Sequence, residues 1–385
     1  MLPQLEEAES IRCNTRVYEL TRRGVDVIVL SLGEARFDLP FPAFASVPFP
    51  QSCHYSESRG LPELRRCIAD YYDTYFGVTI DPDRELLVTA GSKIAILFAM
   101  MSLLRPADEV LIPQPAWVSY AAQARLCHAR PVMPAPDTPL DHYERFLGSR
   151  TPLIVLSHPT NPTGRILTPS DLRCLHRLAE RHNTSLLIDE AYAEFAPEGL
   201  FQSAATLDPS LHHTIVVGST SKTFGLSGWR IGYVIARAEL IDRMLKLNQH
   251  CITCAPTILQ HYIAAHFERL LAATRPQIAS LMALRAHVTR LLGALDLVHA
   301  PGAGTFYFFV SIVPSVLSSR DFCDRLLEDE RISSVPGLGY GPDCDTRIRI
   351  AIGAEPLERI EYALERIRHL IHRTAARAPV GSSHA

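Results

Sequence analysis

The chain has 385 residues, of which 47% are hydrophobic and 21% are charged, and its formal net charge is −3. This composition is typical of a water-soluble globular enzyme and gives no sign of the basic surface of a nucleic-acid-binding protein. The length is sufficient for a large core and predicts two domains.

Cysteine usage and the chain ends indicate a cytoplasmic protein. The nine cysteines are scattered and odd in number, which is typical of reduced thiols rather than of a disulfide framework. The single C-x-x-C pair, Cys251 and Cys254, lacks a second pair, so no metal site is predicted. Residues 1–7 lack the apolar core of a secretory signal, and the apolar stretch 94–104 is too short to cross a bilayer.

The middle of the chain alternates strand-like with helix-like segments. We predict helices at residues 92–104 and 168–182, and Thr168 is suited to cap the second of them. We predict strands at residues 85–89, 109–112, 153–157, 185–189, 214–218 and 231–236. This alternation favours an α/β fold with a mostly parallel sheet wrapped by helices.

The pattern changes from about residue 275. Long helices at 275–295 and 357–373 flank short strands at 305–310 and 347–352, which predicts a smaller α+β unit. Ligands of open α/β sheets gather at the carboxyl ends of the strands. Polar residues that directly follow the predicted strands are therefore the candidates for a functional site.

One lysine lies among small and hydroxylated residues after a predicted strand. Lys222 follows Ser219 and Ser221, and Arg230 comes eight residues later. Burial lowers the pKa of a lysine, and its neutral amine is a nucleophile toward carbonyls. Hydroxyls and an arginine nearby suit a phosphate group. The segment predicts a pyridoxal phosphate site with Lys222 as the imine-forming residue; the alternative is a solvated surface lysine.

Three other strand ends carry polar residues with chemical potential. Asp189 follows a buried strand and needs a cationic partner, for which the pyridoxal ring nitrogen is suited; the alternative is a turn-capping carboxylate. Tyr192 is a hydrogen-bond donor or a packing residue. Asn161 precedes a proline and is biased toward extended backbone, so its amide is either aimed into a site or part of a plain turn. Gly91 and Ser92 open a helix whose free N–H groups suit a phosphate.

Two features outside these strand ends complete the candidate site. Trp117 is one of only two tryptophans and is able to stack on a planar ring, although a packing role is the alternative. Arg347 and Arg349 alternate with isoleucines and share one face of a strand. That face points either into the site, where an arginine binds a substrate carboxylate, or into solvent.

In their order along the chain, these motifs resemble the fold-type I, pyridoxal-phosphate-dependent class I/II aminotransferases. The resemblance covers nearly the whole chain. The matching segments are Leu30-Ser31-Leu32-Gly33-Glu34, Tyr55 with Gly60-Leu61-Pro62-Glu63-Leu64-Arg65, Gly91-Ser92-Lys93, Trp117, Asn161-Pro162-Thr163-Gly164, Asp189-Glu190-Ala191-Tyr192, Ser219 to Lys222 with Arg230, and Arg349. The resemblance implies a seven-stranded sheet in a large domain, residues 40–274, and a small domain formed by residues 1–39 and 275–385.

The resemblance also implies a role for each residue at the cofactor. Lys222 forms the internal aldimine and moves protons, and Asp189 pairs with the ring nitrogen. Asn161 and Tyr192 bind the ring 3′-oxygen, and Trp117 stacks on the ring. The implied phosphate-binding groups are Gly91, Ser92, Lys93, Ser219, Ser221 and Arg230.

The remaining implied roles concern the substrate and a second subunit. Arg349 binds the α-carboxylate of the substrate with help from Gly33, and Trp117 and Asn161 also line the substrate position. Tyr55 reaches the phosphate of a partner subunit, which implies a homodimer. The implied reaction moves an amino group between an α-amino acid and a 2-oxo acid, with glutamate or 2-oxoglutarate as a partner. No nucleic acid, membrane or metal is implied.

Some alternatives stay open at the level of sequence. The same fold and cofactor also serve β-lyases, racemases, decarboxylases and specialised biosynthetic enzymes, and the residues do not separate these outcomes. The family's usual Gly-Glu-Pro reads Gly33-Glu34-Ala35 here, followed by Arg36, which affects specificity if the N-terminal segment closes over substrate. Lys93 resembles a position that binds a distal carboxylate in some aspartate- and prephenate-type enzymes, which predicts an acidic substrate as one hypothesis.

Overall fold

A computed structural model describes residues 5–39 and 47–375 of the chain. The helices are α1 (Glu9–Arg22), α2 (Pro62–Phe76), α3 (Ser92–Leu103), α4 (Ser119–Leu126), α5 (Pro169–His182), α6 (Thr220–Thr223), α7 (Ala238–Cys251), α8 (Thr257–Ala294), α9 (Ser319–Glu330) and α10 (Leu357–Arg373). The strands are β1 (Ile28–Val29), β2 (Leu86–Thr89), β3 (Glu109–Leu111), β4 (Arg130–Val132), β5 (Leu153–Ser157), β6 (Ser185–Asp189), β7 (Thr214–Ser219), β8 (Gly232–Ile235), β9 (Tyr307–Ser311), β10 (Ile332–Ser333), β11 (Val335–Pro336) and β12 (Arg347–Ala351).

A seven-stranded sheet forms the centre of the fold, in the order β2-β8-β7-β6-β5-β3-β4. Strands β7, β6, β5, β3 and β4 pair in parallel, whereas β8 pairs antiparallel with both β7 and β2. The predicted strands are present, with ends that shift by one or two residues. The α/β fold with a mostly parallel seven-stranded sheet is therefore confirmed.

The central strands are buried along their length and mostly apolar, because helices cover both faces of the sheet. Ile188 and Val216 pack with α2, α5 and α8 in one buried cluster. Their neighbours Leu187 and Val217 point the other way and pack with α3, α4 and α7. Alternate residues of one strand thus enter two different cores, which is the expected consequence of the two-residue period of a strand.

Helix α5 begins where the sequence predicts. The Thr168 hydroxyl accepts a hydrogen bond from the Asp171 amide at 3.1 Å, and the Asp171 carboxylate accepts one from the Thr168 amide at 3.0 Å. This reciprocal capping box satisfies two N–H groups at the helix start. The helix ends at Asn183, whose φ of 49° is left-handed.

A second apolar cluster lies between the N-terminal segment and the last third of the chain. The antiparallel sheet β11-β12-β9 and the pair β1-β10 pack with α9, α10 and the later part of α8. The helix expected at 275–295 is the end of α8, which starts at Thr257 and is kinked at His266. The predicted division between residues 274 and 275 therefore falls inside a helix. Residues 40–46, next to the other predicted boundary, lie outside the described residues, and the division into two domains stays a prediction.

Six helices of the described chain were not expected from the sequence pattern, namely α1, α2, α4, the single turn α6, α7 and α9. Across the two described ranges, no helix combines the length and the apolar character that a membrane span requires.

Candidate active site

A cavity of about 460 Å³ opens at the carboxyl ends of β5, β6 and β7. Residues 31–34 and side chains of β9 and β12 form its opposite wall. We call it the active-site cavity. It brings together the predicted site residues Gly33, Ser92, Lys93, Trp117, Asn161, Asp189, Tyr192, Ser219, Ser221, Lys222, Arg230 and Arg349.

Two predicted site residues do not line this cavity. Gly91 lies directly behind it, because a Cβ at Gly91 would meet Nη2 of Arg230 at 2.2 Å. Tyr55 is 85% exposed and contributes nothing to the cavity of its own chain.

Lys222 lies on α6, a single helical turn that follows β7 directly. Its Nζ donates a hydrogen bond to the Gly33 carbonyl at 2.5 Å. Burial lowers the pKa of Lys222 to about 8, and the nearby Arg349 and Arg230 act in the same direction, while Glu34 and Asp189 oppose it. At pH 7 roughly a tenth of the amine is thus neutral and nucleophilic, far more than for an ordinary lysine.

Asp189 is buried at the end of β6. Its Oδ2 accepts a hydrogen bond from the Tyr120 hydroxyl at 2.9 Å, and its Oδ1 accepts one from the Ala191 amide at 3.1 Å. Burial raises the pKa of Asp189 to about 6, while these hydrogen bonds and Lys222 pull it down. Asp189 forms no ion pair within the described ranges. A buried carboxylate of this kind favours a cationic group on a ligand.

The start of α3 supplies backbone N–H groups to the same cavity. Gly91 precedes the helix with a φ of 87°, a conformation that favours glycine, and no side chain caps the helix. Gly232 lies against it so closely that a Cβ there would meet the Ser92 amide nitrogen at 2.3 Å. Free N–H groups at a helix start carry partial positive charge and bind anions.

Arg230 and two serines stand on the other side of this anion-binding corner. Arg230 has a left-handed φ of 58°, and its Nη1 donates to the Ser227 carbonyl at 2.6 Å. It forms no ion pair with a carboxylate of the described chain. The Ser221 amide donates to the Ser219 hydroxyl oxygen at 3.1 Å, which leaves the Ser219 hydroxyl hydrogen available to a ligand.

An indole and an amide flank the space between these groups. The Nζ of Lys93 lies 5.1 Å from the centre of the Trp117 ring, and Trp117 packs edge-on against Tyr120. Burial lowers the pKa of Lys93, and the charge of Arg230 adds to that effect. The Asn161 backbone amide donates to the Ser157 hydroxyl at 3.0 Å, while its side-chain Oδ1 is buried without a partner in the described structure.

Arg349 enters the cavity from β12. Its Nη2 donates to the Ser31 carbonyl at 2.6 Å, and its guanidinium carbon lies 4.4 Å from the centre of the Tyr307 ring. The residue is buried, its Nε has no hydrogen-bond partner, and it pairs with no carboxylate among the residues described. The sequence left open whether this face of the strand points into the site or into solvent, and Arg349 points into the cavity.

Most of the chain, including the predicted site residues that line this cavity, matches a known family. Residues 26–367 match the family model described as aminotransferase class I and II. The chain belongs to this family. It is an aminotransferase.

Relatives of this aminotransferase have similar lengths. It is 30% identical to an aspartate aminotransferase of Pyrococcus abyssi over 92% of this chain and 94% of the relative. It is 29% identical to aromatic-amino-acid aminotransferase 2 of Thermococcus litoralis, with the same two coverages. Among solved structures, the aspartate aminotransferase of Thermus thermophilus with maleate is 28% identical, with a TM-score of 0.86 over 95% of this chain and 97% of that one.

Several residues in the cavity of this aminotransferase were missed at the level of sequence. The Tyr307 hydroxyl is hydrogen-bonded to the Tyr192 hydroxyl at 2.8 Å, so Tyr192 is engaged within the protein. Tyr120 donates a hydrogen bond to Asp189, and its place three residues after Trp117, which it contacts edge-on, was the available signal. Helix α1 contributes Ser10 and Asn14, for which the sequence held no signal.

The small number of lysines in this aminotransferase limits which residue can supply a reactive amine to the cavity. The sequence contains only three lysines, Lys93, Lys222 and Lys246. The first two line the active-site cavity, and Lys246 lies on α7 away from it. Lys222 alone has an amine whose pKa is lowered to about 8 and that lies beside Asp189.

Proposed function

We propose that this aminotransferase holds pyridoxal 5′-phosphate on Lys222 and moves an amino group between an α-amino acid and a 2-oxo acid. The observation that carries the proposal is that one cavity is lined by Lys222, by Asp189 and by the anion-binding corner of Ser92 and Arg230. These three features match, in order, an aldehyde, a ring nitrogen and a phosphate.

The unpaired groups of the cavity fit this cofactor chemically. Asp189 lacks an ion pair within the described chain, which suits a protonated ring nitrogen. Arg230 pairs with no carboxylate there, which suits a phosphate. The Asn161 Oδ1 is buried without a partner, which suits a hydrogen-bond donor of a ligand. Buried polar groups without hydrogen-bond partners destabilise the protein, so the binding of a ligand that supplies those partners is favoured.

Pyridoxal phosphate supplies an aldehyde that reacts with amines and a protonated ring that accepts electrons from the substrate Cα. The protein's own part is proton transfer and orientation. Lys222, with its lowered pKa, would be the amine that holds the cofactor, and its Nζ would be the base that takes the Cα proton. Asp189, oriented by Tyr120, keeps negative charge next to the ring nitrogen.

Arg349 is the proposed clamp for the α-carboxylate. Its planar guanidinium suits bidentate binding of a carboxylate, and the Ser31 carbonyl and the Tyr307 ring fix its plane. A substrate held in this way has its Cα–H bond fixed relative to Lys222. Correct orientation of reacting groups contributes a large part of enzymatic rate.

Lys93 supports an acidic amino acid as substrate. Its ammonium group lies over Trp117 on the cavity wall and has no carboxylate partner in the described part of the chain. A second carboxylate on aspartate or glutamate would pair with it. The variant Lys93→Ala should reduce kcat/KM for aspartate at least about tenfold while that for phenylalanine changes less than about threefold. An unchanged ratio between the two substrates would refute the role of Lys93.

Tyr55 supports a homodimer in which each site uses two chains. Its ring is 85% exposed and lies outside the cavity of its own chain. If Tyr55 acts on the partner's site, coexpressed Lys222→Ala and Tyr55→Ala chains should restore activity in mixed dimers, because one site then has both residues. Random mixing puts intact pairs in about one quarter of the sites. No recovery above the two separate variants would contradict the shared site.

An absorbance titration tests the proposed function as a whole. The purified yellow enzyme is mixed with aspartate, glutamate, phenylalanine or alanine, and then with the matching 2-oxo acid. Transamination predicts that the visible band of the cofactor disappears with the amino acid and returns with the 2-oxo acid. Ammonia release, or carbon dioxide release, in place of this reversible exchange would contradict amino transfer.

A further inference from the structure

A second cavity lies behind the active site. It has a volume of about 340 Å³, which is at the small end of the range for ligand pockets, and it shares Tyr120 and Ser157 with the active-site cavity. Much of its wall is apolar, with Tyr143, Leu156 and Phe309 among the lining side chains. We call it the rear cavity.

Arg347 gives the rear cavity a distinct charge. Its Nη1 is buried and has no hydrogen-bond partner in the described structure, and the residue forms no ion pair there. Its guanidinium carbon lies 5.9 Å from the centre of the Phe309 ring. A buried guanidinium nitrogen without an acceptor favours the binding of an anion.

The register of β12 explains how this arginine arrives there. Arg347 and Arg349 are two residues apart and share one face of the strand, where they lie opposite Ser311 and Phe309 of β9. Arg349 enters the active-site cavity and Arg347 enters the rear cavity. One strand thus presents the same functional group to two neighbouring pockets.

The other titratable groups of the rear cavity leave Arg347 as its unpaired cation. Arg165 is half-exposed and pairs with Asp171 at 3.4 Å. Burial lowers the pKa of His299, so its ring is neutral near neutral pH. Asp137 is exposed to solvent, which screens its charge. The wall of the rear cavity is therefore mostly apolar, and Arg347 is its one cation without a carboxylate partner in the described chain.

We propose that the rear cavity is a second binding site that takes a small organic monoacid with a flat apolar body, whose carboxylate pairs with Arg347. The apolar body fills the space between Tyr143, Leu156 and Phe309. A ligand in this position contacts the wall that carries Tyr120, whose hydroxyl bonds Asp189. The site does not depend on the identity of the cofactor or of the amino-acid substrate.

Binding of 4-fluorobenzoate to the holoenzyme, followed by fluorine NMR, tests the proposal. Wild type should bind with a dissociation constant below about 10 mM, and Arg347→Met should weaken binding about tenfold or more. Arg349→Met should leave a bound signal of unchanged affinity, since that arginine belongs to the other cavity. The neutral match 4-fluorobenzyl alcohol should bind about tenfold more weakly than the acid.

A second variant keeps the test decisive if Arg347→Met lowers stability. Ala300 lines the rear cavity, and Ala300→Phe should fill it and remove binding while the cofactor absorbance stays unchanged. The proposal is overturned if wild type does not bind the acid, if Arg349→Met removes all binding while Arg347→Met keeps it, or if the alcohol binds as tightly as the acid.

Discussion

The two walls of the active-site cavity are built in different ways. The sheet wall consists largely of residues at the carboxyl ends of strands β2, β5, β6 and β7 or within a few residues of them, so a local motif places most of these side chains. The opposite wall joins parts of the chain that are far apart in sequence, as in the hydrogen bond from Arg349 to Ser31, 318 residues away. Groups directed at the proposed cofactor lie on the first wall, and groups directed at the substrate lie mainly on the second.

This division predicts two kinds of functional defect. Changes on the sheet wall should alter the binding or the spectrum of the cofactor, except at Lys93, which is proposed to bind the second carboxylate of the substrate. Changes on the opposite wall should alter KM for the substrates and leave the spectrum intact. A variant on the opposite wall that changed the cofactor spectrum and left KM unchanged would contradict this division of roles between the walls.

The largest effect is expected at the sheet wall, from Lys222→Ala. The variant loses both the amine that bonds the cofactor and the proposed base, so kcat should fall by about 10⁴-fold or more and the visible absorbance of the enzyme should disappear. Lys246→Ala, on α7, is the matched control and should keep both properties. Normal turnover by Lys222→Ala would refute the assignment of this wall.

A smaller effect is expected on the opposite wall from Arg349→Lys. Lysine keeps the charge but loses the planar bidentate geometry and the stacking on Tyr307, so KM for the amino acid should rise about 100-fold. Steady-state kinetics and an absorbance spectrum are the measurements, with Arg359→Lys on α10 as the control. A changed cofactor spectrum with an unchanged KM would contradict the proposal that Arg349 binds the substrate.

The lowered pKa of Lys222 predicts a pH dependence of cofactor loading. Only the neutral amine attacks an aldehyde, so the loading rate of the cofactor-free enzyme should rise about fivefold from pH 7 to pH 8 and less than about twofold above that. Stopped-flow absorbance follows this step. A rate that keeps rising about tenfold per pH unit to pH 10 would show an ordinary lysine.

The same shift has a consequence for stability. Between pH 8 and the ordinary lysine pKa of 10.5, the unfolded chain binds a proton at Lys222 that the folded cofactor-free chain has released. Protonation therefore favours unfolding in this window, and the contribution of Lys222 to stability rises with pH across it.

The smallest effect is expected from Tyr307→Phe. This change removes one hydrogen bond to Tyr192 and leaves the ring under Arg349 in place, so kcat/KM should fall about threefold to fivefold. The visible absorbance of the cofactor should shift little. A loss as large as that of Arg349→Lys would mean that the hydroxyl itself contacts the substrate.

The same comparison explains what the sequence was able to predict. The sequence predicted that Asp189 and Lys222 lie close together, because each comes at or just after the end of an apolar strand and the carboxyl ends of parallel strands meet at one edge of a sheet. Both residues line the active-site cavity. The predicted strands also emerged with small shifts at their ends, because buried central strands have a strong apolar signal.

The missed features depend on long-range packing. Tyr307 is one of several aromatic residues on β9, and only the approach of Tyr192 and Arg349 distinguishes it. Ser10 and Asn14 reach the cavity because α1 docks beside it, which no local pattern indicates. The sequence left open whether Arg347 and Arg349 point into a site or into solvent. In the structure, Arg349 lines the active-site cavity and Arg347 lines the rear cavity.

Covalent trapping of the cofactor tests the central claim most directly. The purified enzyme is reduced with sodium borohydride, digested, and its lysine-containing peptides are weighed by mass spectrometry. Because the chain has only three lysines, the attachment site is unambiguous. The account predicts a phosphopyridoxyl group on Lys222 alone. The same group on Lys93 or Lys246, or on none of the three, would contradict it.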